Sequence, residues 1–343
     1  MNRSTPTIKS KIGSTVPISR IVELIRELKS SKKRSAVIVS LRDVCERCPE
    51  AATTLWSNQS VIKLLMDDLG NLIYPFMNGN FDPDNLQVIF NILGILHSIC
   101  KDKRLTKKFA DSEIPGSCLR LVFLEKNFQV DCLKPVLLMF PFTILKSSQE
   151  WAAKWFVETE VLRAILVTLT KPETWEVMKL CVYIIRLFVA TETGLNYIRR
   201  CVSRFHAIDY VFEGIVKKIA VKSVTHSIDY ELYRNIIEVY IRLTDDMELC
   251  KTLAFADLAG SLNIYSRIVI GQDPDSAELY GILLEKLNRR KIELPGTNLI
   301  GIYGLVMGQT DPNRVRTIEE KYQYLNEQLR YMITFTPPDD RSS

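Results

Sequence analysis

Apolar residues recur with the period of an amphipathic α-helix over most of this chain. In VMKLCVYIIRLF at 177–188 the apolar side chains fall on one face of a helix. The segments DNLQVIFNILGILHSIC at 84–100 and ELYRNIIEVYIRL at 231–243 show the same spacing. Alternation with a period of two never continues long enough to indicate a sheet. The pattern therefore predicts an all-α protein.

The predicted helices repeat along the chain. Each strongly apolar helix runs into a short polar turn, one of which contains Gly194, and a new helical segment follows. The first apolar residues after these turns recur at intervals of roughly 45–55 residues, at Ala51, Leu105, Trp151, Leu195 and Leu249. All-helical units of this length are typical of armadillo and HEAT proteins, in which each unit buries its apolar face against its neighbour. We therefore expect an armadillo-repeat, right-handed superhelical solenoid.

The two ends of the chain lack this regular pattern. Residues 1–15 are polar and basic, which predicts a disordered tail before an armadillo-repeat domain at 16–292. Residues 293–343 form a C-terminal extension in which 316–335 have the spacing of one amphipathic helix. The N-terminus has no apolar signal region, and the apolar run at 135–145 is too short to span a bilayer. We expect no membrane segment and a cytoplasmic location, with the nucleus as a second compartment.

Composition and charge narrow the function only slightly. Apolar residues make up 47% of the chain and charged residues 25%, the balance of an ordinary globular protein. The net charge of +5 permits contacts with RNA or acidic peptides without demanding them. The 8 cysteines, without a secretion signal, are expected to be reduced thiols.

The segment CERC, from Cys45 to Cys48, could be half of a zinc site, a redox pair, or a helix end with incidental thiols. A closed zinc site needs four ligands, usually from two close pairs, and the other cysteines are scattered singly. Pro49 follows directly and should stop the preceding helix. These observations favour incidental thiols, and we predict no metal or cofactor.

Enzymatic chemistry finds no support in the motifs. The chain has no HExxH, GxSxG, GxxxxGK[ST] or GxGxxG segment. Cys201 and His206 are near each other in sequence, but a helix would place them on different faces. The segment at 271–281 begins like a calcium loop and then has Ala277 and Leu279 where oxygen ligands are needed. We expect a protein that is not an enzyme.

Basic and aromatic residues leave a second function open. Basic runs at 29–34, 101–108 and 288–291 are either solvated turns or contacts for the phosphates of nucleic acid. The four tryptophans all flank turns and are expected to be exposed, namely Trp56, Trp151, Trp155 and Trp175. Trp56 and Trp151 lie at equivalent repeat positions, so packing between helices is the first expectation there.

Several segments together resemble one known family, the armadillo-repeat subunit of the Ccr-Not deadenylase complex, called "required for cell differentiation". They are PEAATTLW followed by VIKLLMDDLGNLIYP, then TEVLRAIL, ETGLNYI, the pair RF at 204–205, and YIRLTDD. The turn before L-x-Y-I and the Y-x-R-L-[ST]-D run are fairly specific together. The segments occur in order over 18–292, and the chain is identified as a divergent member.

The resemblance implies a non-enzymatic adaptor with an armadillo fold of about six units. Family members dock on the Not scaffold of the complex and recruit short peptide motifs of mRNA-repressor proteins. The implied role is to link target mRNAs to deadenylation, mRNA decay and translational repression. Weak binding of RNA or single-stranded nucleic acid, and homodimers, are also attributed to the family. The alternative is an armadillo-type nucleic-acid-binding protein that uses its basic turns and groove.

The resemblance also implies two sets of site residues. The scaffold contact would begin at Trp56, after which the family typically has a His and a Phe and then small residues. This chain has Ser57, Gln59 and Lys63 there, which implies either a changed partner or loss of the usual contact. The peptide groove would comprise Asn91, Lys134, Met139, Leu180, Val202 and Arg204. Since Met139 replaces a Gly and Val202 a Tyr, we expect the groove to prefer different peptides.

Overall fold

The computed structural model describes the following residues of the chain: 18–30, 34–77, 82–122, 132–147, 149–171, 173–225, 230–255 and 261–292. No strand occurs among these residues, so the predicted all-α class is confirmed. The tail predicted at 1–15 and the extension at 293–343, with its helix at 316–335, lie outside the described residues.

The described part of the chain forms 17 helices. The first eight are α1 (Ile18–Ser30), α2 (Arg34–Arg47), α3 (Pro49–Trp56), α4 (Gln59–Met77), α5 (Pro83–Lys101), α6 (Thr106–Ala110), α7 (Glu113–Val122) and α8 (Lys134–Leu145). The others are α9 (Glu150–Glu158), α10 (Val161–Leu169), α11 (Trp175–Val189), α12 (Glu192–Arg199), α13 (Val202–Thr225), α14 (Glu231–Leu243), α15 (Met247–Phe255), α16 (Ser261–Ile270) and α17 (Pro274–Ile292).

The helices belong to two compact units. Unit 1 contains the described residues up to 118 together with 132–144, and unit 2 contains 119–122 and the described residues from 145 onward. In unit 1, α3, α4 and α5 form a triplet that follows the pair α1 and α2. Here α2 packs along α5, and α1 packs against α3 and α4. The first helix of the pair therefore covers the beginning of the triplet, while its second helix covers the end.

Unit 2 contains three successive helix triplets, α9–α10–α11, α12–α13–α14 and α15–α16–α17. Helices at the same place in neighbouring triplets pack together: α9 with α12, α10 with α13, α11 with α14, α13 with α16, and α14 with α17. This nearest-neighbour stacking is the arrangement expected of armadillo units. We use the term third helix for α2 and for the last helix of each triplet, which are α5, α11, α14 and α17.

The predicted repeat openings fall where the triplets begin. The openings at Ala51, Trp151, Leu195 and Leu249 lie in the first helices α3, α9, α12 and α15. Leu105 is the N-cap residue of α6. The register derived from apolar spacing is therefore confirmed at the four positions that lie in first helices, and Leu105 lies at the start of a helix.

The helix boundary at Pro49 is also confirmed. Helix α2 ends at Arg47, Cys48 is extended as the N-cap of α3, and Pro49 occupies the first turn of α3. Proline lacks the N–H that a continuing helix would need, but its fixed φ suits a first helical turn. The same residue therefore ends one helix and begins the next.

The prediction that the tryptophans are exposed is wrong. Trp155 is buried, and Trp56, Trp151 and Trp175 are half-buried. In unit 1 the ring of Phe109 lies 5.9 Å from that of Trp56 and 5.7 Å from that of Phe140, measured between centroids. Aromatic rings in such clusters bury large apolar areas and gain from their mutual geometry. Packing at the starts of the repeats therefore removes these rings from solvent.

Gly194 lies in the first turn of α12 and is buried, whereas the sequence placed it in a polar turn. The hydroxyl of Thr191 caps this helix by accepting a hydrogen bond from the Gly194 N–H at 3.0 Å. A Cβ atom at position 194 would overlap the carbonyl oxygen of Phe188. The end of α11 therefore approaches α12 so closely that only glycine fits.

We predict that Gly194→Ala lowers the free energy of unfolding by about 2–4 kcal/mol, because backbone atoms must move to relieve the overlap. Urea denaturation followed by circular dichroism measures the change. The matched control is Gly214→Ala in α13, where no atom lies within 4 Å of the added Cβ. There we expect a gain of up to about 1 kcal/mol from helix propensity. Equal effects of the two substitutions would contradict the packing described for Gly194.

A second prediction concerns Asp209 of α13, which accepts a hydrogen bond from the Tyr240 hydroxyl at 2.7 Å. Burial raises the pKa of Asp209 from 3.8 to about 6, with Glu213 adding to the rise and the Tyr240 bond opposing it. The folded state therefore binds more protons than the unfolded state between these values. The protonated carboxyl favours folding at low pH, and this contribution is lost as pH rises through the folded pKa.

Asp209→Asn keeps an oxygen acceptor for Tyr240 and removes the buried charge. We expect the melting temperature to rise by several degrees near pH 7 and to approach that of the parent near pH 4. Scanning calorimetry across this pH range measures the difference. Asp43→Asn, at an exposed position of α2, is the control and should leave the pH profile unchanged. A parent profile that rises steadily from pH 4 to 7, with no gain in the variant, would disprove the assignment.

Candidate functional site

A polar contact joins two third helices in unit 1. Arg42 of α2 donates from Nη1 to Oδ1 of Asn91 on α5, at 3.3 Å. Asn91 is only 3% exposed, and its Nδ2 has no hydrogen-bond partner in the described part of the chain. A buried donor left without a partner costs about 1–3 kcal/mol. This donor is oriented, but because the residue is buried it has little access to a ligand in this structure.

Gly94 makes the approach of Arg42 to α5 possible. A Cβ atom at this position would lie 2.8 Å from Nε of Arg42. Glu46, one turn further along α2, accepts from Nε and Nη2 of Arg42 at 3.1 and 2.9 Å. The guanidinium is thus held from both sides and fixes the orientation of the Asn91 amide.

Unit 2 contains an equivalent Arg–Asn hydrogen bond at the same sequence separation. Arg186 of α11 donates from Nη1 to Oδ1 of Asn235 on α14 at 2.9 Å, and the two residues are 49 apart, as are Arg42 and Asn91. Asn235 is 4% exposed. Arg186 also pairs with Glu238. Sequence reasoning missed the two arginines and Asn235, although an Arg–Asn pair at equal spacing in two pairs of repeats was a signal that could have revealed them.

Ion pairs link the third helices of unit 2 further along their length. Lys179 of α11 pairs with Glu231 of α14 at 2.6 Å. Arg234 of α14 pairs at 3.1 Å with Asp273, which precedes α17. These groups are partly exposed, so each pair contributes at most about 1 kcal/mol. Their main consequence is a third-helix surface with dense, alternating charge.

The predicted groove residues of unit 1 differ in accessibility. Besides Asn91, this unit contains Lys134 and Met139, both on α8. Met139 is half-buried, whereas Lys134 is only 6% exposed. The ammonium group of Lys134 therefore has much less access to a ligand than its charge suggested.

The predicted groove residues of unit 2 are more accessible. Leu180 on α11 is half-buried, and Val202 at the start of α13 is 48% exposed. Arg204 donates from Nη1 to the carbonyl oxygen of Tyr197 at 2.7 Å, and its guanidinium lies 3.6 Å from the centroid of that ring. A desolvated cation over an aromatic face is held in place. Arg204 is therefore a cation of fixed orientation.

The predicted scaffold residues lie at the turn between α3 and α4. Trp56 is the last residue of α3, and Ser57 donates through Oγ to the Thr53 carbonyl at 2.9 Å. Gln59 donates through Nε2 to the Trp56 carbonyl at 2.7 Å. The turn thus brings Trp56, Ser57 and Gln59 together, while Lys63 is exposed further along α4.

The thiols of CERC are both buried, at 8% exposure for Cys45 and 5% for Cys48. Burial raises the pKa of Cys45 to about 12, so this thiol stays protonated near neutral pH. Among the described residues, no group of three or more Cys, His, Asp or Glu side chains could hold a metal ion. The reading of Cys45 and Cys48 as packing residues therefore fits their surroundings.

Cys201 has the opposite environment. It is half-buried, and a hydrogen bond with Ser203 and the nearby Arg204 lower the pKa of its thiol. His206 is a weak base, because burial lowers its pKa.

We predict two fast-reacting thiols in the folded protein, Cys201 with its lowered pKa and the exposed Cys132. The thiolate is the reactive form, and the other cysteines are buried. A colorimetric disulfide reagent near neutral pH should show two fast equivalents. The double variant Cys132→Ser, Cys201→Ser should lose the fast phase, and full labelling should require denaturant. Fast modification of Cys45 or Cys48 would contradict their burial.

No helix in the described ranges combines the length and the apolar character needed to cross a bilayer.

Comparison with known proteins identifies the family of this chain. The model of the Rcd1-like cell differentiation family matches residues 24–287. The chain belongs to this family. The family recognised from the sequence segments is therefore confirmed, and the match covers nearly all of the described helices.

Two curated relatives in this family are distant. The chain is 22% identical to the cell differentiation protein rcd1 of Schizosaccharomyces pombe over 229 residues, which are 66% of this chain and 78% of that protein. It is 20% identical to Protein CAF40 of Saccharomyces cerevisiae over 258 residues, 73% of this chain and 67% of that protein.

A solved structure supports the fold alone. The crystal structure of an engineered protein from the Northeast Structural Genomics Consortium superposes with a TM-score of 0.53 at 13% identity, covering 79% of this chain and 97% of the other. At this identity the likeness says nothing about function.

Proposed function

We propose that this chain is a non-enzymatic adaptor subunit of the Ccr-Not mRNA deadenylase complex. It binds the Not scaffold at the α3–α4 turn and holds short peptide motifs of mRNA repressors on its third helices, which promotes mRNA decay and translational repression. Membership of the Rcd1-like family over residues 24–287 is the single observation that carries this proposal. The protein acts in the cytoplasm, with a nuclear pool.

Peptide capture in unit 1 centres on Asn91. Its Oδ1 is occupied by Arg42, so the amide is oriented and Nδ2 is left as the donor. Because Asn91 is only 3% exposed, side chains around it would have to move before a main-chain carbonyl of an amphipathic peptide could supply the missing acceptor. The half-buried side chain of Met139 would contact an apolar anchor. Lys134 supplies a positive field near this surface more than a direct contact, since it is buried.

Peptide binding in unit 2 would again combine apolar surface with one oriented polar group. Leu180 and the exposed Val202 provide apolar surface for peptide anchors. Arg204 cannot swing freely, because Tyr197 holds its guanidinium by a hydrogen bond and by its ring. A pre-oriented cation loses little side-chain entropy when it meets a peptide carboxylate or carbonyl.

The scaffold contact at α3–α4 is polar on this chain. Ser57, Gln59 and Lys63 are all exposed, and Trp56 presents the uncovered part of a ring that packs on Phe109. A partner segment with an apolar group for Trp56 and an acidic group for Lys63 would fit this surface. We therefore propose a scaffold whose contacting residues have changed along with this chain.

Two substitutions distinguish the proposed scaffold contact from the proposed peptide contact. Both are measured by affinity purification of the tagged chain from its own cells, followed by quantitative mass spectrometry. Lys63→Glu should reduce recovery of the Not scaffold and the deadenylase subunits severalfold, because it places a like charge against the acidic group proposed above. Lys154→Glu, which reverses another exposed lysine on α9, is the matched control and should retain them.

Asn91→Asp should leave the deadenylase subunits bound and lose the repressor proteins by about tenfold, because it keeps an acceptor for Arg42 and replaces the Nδ2 donor with a carboxylate oxygen that cannot donate. Thermal melting checks that each variant folds. If the parent chain enriches neither a Not-scaffold fragment nor any deadenylase subunit, the proposed function is wrong. If Asn91→Asp recovers repressor proteins as well as the parent does, Asn91 has no part in peptide binding.

A further inference from the structure

A cleft of about 680 Å³ opens in unit 1, bounded by α2, α3, α5 and the turn after α5. Ala52, Cys45 and Gly94 line it with apolar and small groups, and Ser98 adds a hydroxyl. The proposed contacts of the scaffold and of the repressor peptides leave this cleft without a use.

The charges around the cleft do not cancel. Arg42 is paired with Glu46 at 2.9 Å, and Arg104 with Asp102 at 2.6 Å. Lys101 and Lys103 are exposed at the rim, and the described structure shows neither of them in an ion pair. Two uncompensated positive charges therefore remain at one end of the cleft.

Hydrogen bonds hold the Asp102 carboxylate of the cleft in place. The Asp102 carboxylate receives hydrogen bonds from the Arg104 N–H and guanidinium and from the hydroxyl of Thr53 at 3.2 Å. His97 on the wall makes a hydrogen bond through Nε2 with the Thr143 hydroxyl at 2.9 Å. Burial and the nearby Lys101 lower the pKa of His97 to about 4, so this ring is neutral near pH 7. The positive charge available to a ligand thus comes from the two lysines.

We infer that this cleft binds an acidic side chain of a partner peptide, with Lys101 and Lys103 contacting the carboxylate and the cleft wall contacting its aliphatic stem. The cleft is connected to the Asn91 amide through Arg42, which both lines the cleft and bonds to Asn91. A peptide whose carbonyl reached Asn91 would carry a neighbouring side chain into the cleft. This inference rests on the peptide-binding role proposed above.

A nucleic-acid strand fits the same cleft less well. Two fixed carboxylates, of Glu46 and Asp102, lie in its wall and would repel a continuous row of phosphates. Single-stranded nucleic acid is typically held by aromatic side chains on which bases stack. None of the described residues lining the cleft is a Phe, Tyr or Trp. The arrangement therefore favours an isolated carboxylate over a polyphosphate.

The test measures fluorescence anisotropy of a labelled, otherwise neutral peptide that carries a single glutamate, with the same peptide carrying glutamine and poly(U) RNA as comparison probes, on the full chain at low salt. The variant Lys101→Glu, Lys103→Glu should weaken binding of the glutamate peptide by about tenfold or more, because it reverses both rim charges. The matched control is Lys107→Glu, Lys108→Glu, which reverses two exposed lysines on the adjacent α6 that do not line the cleft. We expect that control to weaken binding by less than about threefold.

Three outcomes would overturn the inference: no preference of the parent for the glutamate peptide over the glutamine peptide, equal loss in the two double variants, or binding of poly(U) that is tighter than that of the glutamate peptide and depends on Lys101 and Lys103. The last outcome would instead support the nucleic-acid alternative. Recovery of deadenylase subunits with the Lys101→Glu, Lys103→Glu variant is measured in parallel. If the deadenylase subunits are recovered but acid binding fails, the inference about the cleft is wrong and the proposed function stands. If the parent recovers no deadenylase subunit but still binds the acid, the proposed function is wrong and the cleft inference stands.

Discussion

The burial of each third helix against the third helix of the next repeat is the interaction on which the rest of the structure depends. In unit 2, α11 packs along α14 and α14 along α17, and in unit 1 α2 packs along α5. Ile185 and Phe188 of α11, and Ile236 and Tyr240 of α14, are completely buried. Each such side chain contributes about 1.5–3 kcal/mol, which no single amphipathic helix of this length could obtain alone. The fold is therefore stabilised by a sum of neighbour contacts.

Because apolar contacts set the spacing of the third helices, they also decide which polar groups meet between them. Arg42 reaches Asn91, and Arg186 reaches Asn235, each across one such contact. Buried asparagines in a helix interface stabilise less than leucines would, so their presence in two interfaces requires a reason. Orientation of the amide is one reason that the geometry supports. In unit 1 the arginine occupies only one side of the amide, and Nδ2 on the other side has no hydrogen-bond partner among the described residues.

Sequence periodicity was sufficient for the local part of this architecture. The repeat openings, such as Trp151 and Leu249, could be located because an amphipathic helix repeats its apolar residues within two turns. The contact between Arg42 and Asn91 could not be located, because it joins residues 49 apart and depends on how two helices pack. Gly194 was misplaced for a similar reason, since the overlap that requires glycine involves the carbonyl of Phe188 at the end of the preceding helix.

Burial explains which surface positions of the chain can change without loss of the fold. Trp56 is held by the ring of Phe109, so its replacement would open a cavity. Ser57 and Gln59 bond only to main-chain carbonyls within one turn of themselves, and Lys63 is exposed on α4. The three positions where this chain departs from the family pattern are thus ones on which packing places little constraint. Substitution there would alter the surface of the α3–α4 turn while leaving the repeat stack intact, so the proposed change of scaffold contact is compatible with the fold.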